Sequence, residues 1–240
     1  MKSRIWDMLG IEFPLFAFSH CRDVVAAVSR VGGFGVLGAC NFTPEQLKVE
    51  LDWIDAHAGG KPYGIDFAVP ENLEDRDAAG QTRRTMMARI PDTHYHFTND
   101  LLARHGVRPL TDDLKGDDEL VAIMPDTAEK TMDEAFRHPV RLIVNALGLP
   151  PKSMLERART HGVPVGALVG SRVHARRQID AGVDVLVAQG TEAAAHCGEV
   201  TTMVLVPEVV AEARGSNIPV LAAGGIVTGR QMAAAMMLGA

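Results

Sequence analysis

Little in this sequence is aromatic, sulfur-rich or continuously apolar, and each shortage excludes something. The three cysteines, Cys21, Cys40 and Cys197, lie far apart with no CxxC pair. That argues for reduced thiols and against a disulfide or zinc framework. Aromatic residues are 5% of the chain and the net charge is −6. Base stacking and a basic footprint are therefore both missing, which excludes nucleic acid and an anionic membrane surface as the main partner. No run approaches the roughly 18 apolar residues of a membrane span. The start, MKSRIWDMLGIEF, is interrupted by Asp7 and Glu12 and does not read as a signal peptide. A cytoplasmic location and a small-molecule substrate are expected, with a homo-oligomer left open. An early GxGxxG fingerprint is also missing, which weakens a dinucleotide-binding open sheet.

What is present is a rhythm. The hydrophobic share is 47% over 240 residues, enough for one large core, so 1–240 reads as a single domain. Short apolar runs alternate with helical patterns: Phe13–Phe18, Gly35–Ala39, Tyr63–Val69, Arg141–Leu147, Val163–Val169, Val183–Ala188 and Ile218–Ala223 read as strands. Val-rich strands without polar alternation mean a parallel sheet covered by helices. The clearest helix has Thr43 as N-cap and Pro44 in its first turn, and it ends at Gly59-Gly60. Asp126 reads as the cap of a later helix. Gly162 and Gly182 stand where left-handed helix caps belong. The polar stretch 70–115 reads as a helical insertion, a lid or an interface, with helices near Asp77–Arg89 and Asp92–His105. The fold class expected is α/β, a TIM (β/α)8-type barrel, with a doubly wound sheet as the alternative. Seven strands are visible and the eighth is not, so a barrel truncated before strand 8 is expected.

Chemistry-bearing residues gather at strand ends, where α/β folds bind ligands. QGTEAAAHCGEV, Gln189 to Val200, follows a buried strand and carries His196, a residue able to take a proton near neutral pH. Glu192 and Glu199 flank it and are candidates to orient the ring; a plain surface-loop histidine is the alternative. Ala222 to Gly229 (AAGGIVTG) sets two glycines between a strand and a helix, a place for an anion or simply a tight turn. Ser19-His20-Cys21-Arg22 closes the first strand, as ligand lining or a Cys–His pair. Asp66 sits within the third strand, where an acid is costly to bury without a partner. His94 and His96 have no third metal ligand in view.

These segments resemble the nitronate monooxygenase (2-nitropropane dioxygenase) family of FMN-dependent barrels, relatives of the flavin-dependent enoyl-ACP reductases. The resemblance lies in FPLFAF, VVAAVSRVGGFGVLGA, PYGIDFA, GALVGSRVHARRQIDAGVDVLVAQGTEAAAHCGE and PVLAAGGIVTGRQMAAAMMLGA, nearly the whole chain. It implies an FMN over the carboxyl ends of the strands, with its phosphate at Gly224 and Gly225. Phe18, Ser19, Gly170, Gln189, Gly190 and Ala194 would line it. Asp66 falls where the family often has Asn touching the cofactor, and His196 matches the catalytic histidine. Ala194 and Ala195 replace two family glycines. Implied activity is oxidation of an alkyl nitronate or similar carbanion with O2. The alternatives are an enoyl-thioester (ACP or CoA) reductase, a flavoenzyme of acyl-CoA breakdown, and a flavin-free barrel relic acting as a binding module.

Overall fold

In the computed structural model, residues 4–69, 87–110, 125–194 and 196–240 are described. The order of elements is α1 (Arg4–Leu9), β1 (Phe16–Ser19), α2 (Arg22–Arg30), β2 (Phe34–Gly38), α3 (Pro44–His57) and β3 (Tyr63–Phe67). Then come α4 (Asp92–Arg104), α5 (Pro125–Ala135), β4 (Leu142–Asn145), α6 (Lys152–His161) and β5 (Val165–Val169). The chain continues through α7 (Arg172–Ala181), β6 (Val185–Gln189), α8 (Thr202–Glu212), β7 (Val220–Ala223) and α9 (Gly229–Met237).

All pairings are parallel and the seven strands lie in chain order, β1 to β7. A doubly wound sheet reverses its strand order at a switch point, and this one never does. The fold is therefore an α/β barrel of TIM type with seven described strands. β1 and β7 each have a single strand neighbour among the described residues.

Local chemistry explains the elements. Thr43 accepts a hydrogen bond from Gln46 N–H at 3.2 Å while the Gln46 side chain accepts from Thr43 N–H at 2.9 Å. This reciprocal cap, with Pro44 at the first turn, fixes the start of α3. Gly162 and Gly182 cap α6 and α7 at φ 67° and 85°, where a side chain would be strained. Asp126 is the second residue of α5 rather than its cap, because the helix starts at Pro125. Asp92–Arg104 is helical as expected; most of Asp77–Arg89, and with it most of the lid-or-interface expectation, lies outside the described residues.

Two layers flank the sheet. Tyr63, Ile65 and Phe67 of β3 pack outward with Leu47, Leu51 and Ile54 of α3. Phe34, Val36, Leu142, Val144 and Val185 face the barrel interior, where Ile5 and Leu9 of α1 join them. Six residues are too few to hold a helix in water, so packing holds α1. Burying each of those two side chains contributes about 1.5–3 kcal/mol. The plug closes the amino-terminal end of the barrel and leaves the carboxyl-terminal end as the open mouth.

Candidate active site

Two walls of that mouth hold the chemistry, and the first is the loop between β6 and α8. Gly190 begins it under tight constraint: a Cβ there would stand 2.2 Å from Thr202 Oγ1. Thr202 donates its backbone N–H to Glu192 Oε2 at 2.9 Å. Its hydroxyl lies 2.8 Å from the same oxygen and 3.0 Å from the Gly224 carbonyl, with one proton to share. These bonds hold the Glu192 carboxyl below its ordinary range, the Thr202 N–H first among them. Glu192 thus caps α8, and the expectation that it orients His196 is corrected. Glu199 is exposed.

His196 is held from behind instead. The Gln189 side chain donates Nε2–H to the His196 carbonyl at 2.7 Å, and Thr191 N–H closes the loop neck on the Val200 carbonyl at 3.0 Å. Gly170 and Gly198 meet backbone to backbone, since a Cβ on Gly198 would lie 2.8 Å from the Gly170 carbonyl. Neither position has room for a side chain, so the loop seats on the end of β5. The result is a cavity of about 500 Å3 at the ends of β4, β5 and β6, with Gly170, Gln189, His196 and Cys197 in its lining. That is the size class of small-molecule sites.

The rest of the cavity is shaped by two buried amides. Asn145 is fully buried. Its Oδ1 accepts from Val69 N–H at 3.0 Å, and its Nδ2 lies 3.1 Å from the carbonyls of Val69 and Leu147. This ties β3 to the cavity wall after β4. Gln178 of α7 donates to the Gly148 carbonyl at 2.9 Å, and its Oε1 is buried without a partner. Sequence reasoning missed both; a lone Asn inside the apolar run RLIVNAL was the available signal.

The second wall lies across β1 to β3. Phe18 and His20 meet edge to face at 5.1 Å, and His20 Nδ1 lies 3.1 Å from the Gly38 carbonyl. A Cβ on Gly38 would sit 2.6 Å from the His20 ring, so the glycine makes room for it. Ser19 Oγ accepts from Cys21 N–H at 3.0 Å, at the start of α2. Asp66 alternates with the outward-facing residues of β3 and so points into the barrel. Its Oδ1 is buried and unpartnered, and burial lifts its carboxyl to about 8.

Gly224 and Gly225 form a left-handed turn at φ 111° and 69° before α9. A Cβ on Gly224 would stand 2.7 Å from Thr202 Oγ1, so the turn packs directly on the first wall. Of the expected site residues, Gly170, Gln189 and His196 share the cavity, while Phe18, Ser19, Asp66, Gly190, Ala194, Gly224 and Gly225 stand outside its lining. Ala194 is exposed and Ala195 lies outside the described residues.

The sequence matches the nitronate monooxygenase family model over residues 2–240. The chain belongs to that family. A Mycobacterium tuberculosis protein whose name describes a monooxygenase is 51% identical over all of this chain and 64% of its own length. A Staphylococcus aureus protein, named a probable nitronate monooxygenase, is 28% identical over all of this chain and 65% of its own. The chain thus spans less than two thirds of these relatives. Among solved structures, FabK from Thermotoga maritima superposes with a TM-score of 0.71 at 26% identity, over 100% of this chain and 60% of that one. Nitroalkane oxidase from Streptomyces ansochromogenes gives 0.69 at 23% identity, over 99% and 65%, a likeness of fold. No helix among the described residues is long and apolar enough to cross a membrane.

Proposed function

We propose that this chain is the cofactor-binding barrel of an FMN-dependent oxidoreductase of the nitronate monooxygenase type, acting on an alkyl nitronate or similar carbanionic substrate with O2. The observation that carries this reading is the cavity in which His196, Gln189 and Gly170 meet at the strand ends of a chain from this family. The residues fit a flavin. Gly170 offers the cavity backbone alone, and among the described residues no hydrogen bond occupies the Gly225 and Ile226 N–H groups, which leaves them to a phosphate.

When bound, FMN supplies the electron-accepting and O2-reactive chemistry. The chain supplies the rest. His196 takes or holds the substrate proton and steadies negative charge beside it. Gln189 fixes the carbonyl of His196 and so the direction from which its ring enters the cavity. Asn145 and Gln178 hold the opposite wall at a fixed distance. The apolar side chains of the lining, Leu147, Leu149 and Leu168, keep water from the reacting carbon.

Purified protein titrated with FMN should stay yellow after free flavin is removed by gel filtration, and should consume O2 with propyl nitronate. His196→Asn should keep the flavin and lose turnover by about 10²–10⁴-fold. Turnover that survives the substitution removes His196 from the mechanism. NADPH oxidation with an enoyl-CoA and no nitronate-dependent O2 uptake would favour an enoyl-thioester reductase, and a colourless protein that FMN does not titrate would favour a binding module.

A further inference from the structure

Two buried oxygens around the mouth lack a partner among the described residues: Gln178 Oε1 in the cavity, and Asp66 Oδ1, which belongs to neither the cavity nor the turn. Asp66 is half-buried overall, yet its Oδ1 is shut off from solvent and meets no donor among the described residues. An ionised carboxylate in such a place needs a cation or several N–H donors. Neither is there: among the described residues burial is the whole cause of its raised titration, with no lysine or arginine contributing.

The surroundings can be read strand by strand. From β2, Gly38 is its register neighbour and carries no side chain; just beyond, Cys40 has its thiol pushed up first by burial and then by Asp66 itself. From β1, the His20 ring lies over Gly38. From β4, the register neighbour is Val144, buried and apolar. Among the described residues, the titratable groups that these strands bring toward Asp66 are therefore Cys40, whose thiol it pushes up, and His20 beside Gly38.

We propose that Asp66 is the hydrogen-bond donor of the β1–β3 wall: it keeps its proton at neutral pH and shares it with an acceptor on the flavin ring, so that cofactor binding is gated by pH. This rests on the flavin reading above. A neutral carboxyl offers one O–H donor and one carbonyl acceptor, and a side-chain amide likewise offers both roles from the same carbon skeleton. Loss of the proton leaves two acceptors facing an acceptor, in a place without solvent to relieve the repulsion. The ligand this wall selects is one that presents a carbonyl or imine acceptor.

The test is FMN affinity, read by quenching of flavin fluorescence from about pH 6 to about pH 10. Wild type should bind evenly below the titration of Asp66 and then weaken about tenfold for each further pH unit. Asp66→Asn should bind FMN with no such break, because its amide keeps a donor at every pH. His20→Asn should keep the break. A wild-type profile that is flat, or an Asp66→Asn profile with the same break, overturns the proposal.

A second measurement needs no cofactor. The carboxyl stands at about 8 in the folded chain against 3.8 unfolded. Between those values the folded state holds a proton that the unfolded chain has released, so stability falls as pH rises through that window. In urea unfolding, wild type should lose stability relative to Asp66→Asn from about pH 4 to about pH 8 and level off above. A constant difference overturns the neutral acid. Failure of wild type to bind FMN at any pH overturns the flavin reading and the contact with it, while the unfolding profile still decides the proton.

Discussion

The two walls of the mouth are built on opposite terms. On the β6 side almost every polar group is answered within the chain: Gln189 by the His196 carbonyl, Glu192 by Thr202, Thr191 by Val200. On the β1–β3 side Asp66 Oδ1 has no partner among the described residues. A wall that must hold a reacting side chain needs its hydrogen bonds closed, since a loosely held histidine loses its geometry. A wall that must receive a ligand leaves one group open, and the ligand closes it.

That contrast breaks first at Gly190. Gly190→Ala sets a methyl 2.2 Å from Thr202 Oγ1, which displaces both the loop and the α8 cap. Chemical denaturation should show a loss of at least about 1–3 kcal/mol, with turnover abolished. Gln189→Leu is next: it removes the tie to the His196 carbonyl while keeping a side chain of similar size in the cavity lining, so kcat should fall by roughly tenfold to a hundredfold for a misplaced base. A kcat unchanged within error would show that the loop holds His196 without this bond. The smallest effect lies beside the turn. Thr228 caps α9 in a reciprocal pair with Gln231, and Thr228→Ala should cost about 1 kcal/mol of stability.

Legibility in the sequence follows the range of the forces. The Thr43 cap, the left-handed Gly162 and Gly182, the seven strands and the glycine turn at 224 and 225 depend on neighbours a few residues away, and each reads directly from the chain. The cap placed at Asp126 was misplaced because α5 already includes Pro125. The role expected of Glu192 failed for another reason. Proximity in sequence suggested His196, but Thr202 offers an N–H and the start of a helix, and both stabilise a carboxylate more than a neighbouring ring can. The α1 plug was missed because six residues show no helical period, and only the interior of a barrel gives Ile5 and Leu9 a place to bury.

By itself, then, the sequence determined a parallel α/β barrel, the family, and His196 on a loop at the strand ends, since hydrophobic period, turn chemistry and motif spacing are properties of the local chain. The tertiary structure decided which of those residues share a space. Residues far apart along the chain, Asn145 with Val69, Gly170 with Gly198, Gly190 with Thr202, meet only when the strands curl. It also decided that Asp66, one polar residue in the run YGIDFAV, faces inward with its Oδ1 unpartnered among the described residues, because burial and the lack of a donor are sums over the elements around it and no stretch of sequence contains that sum.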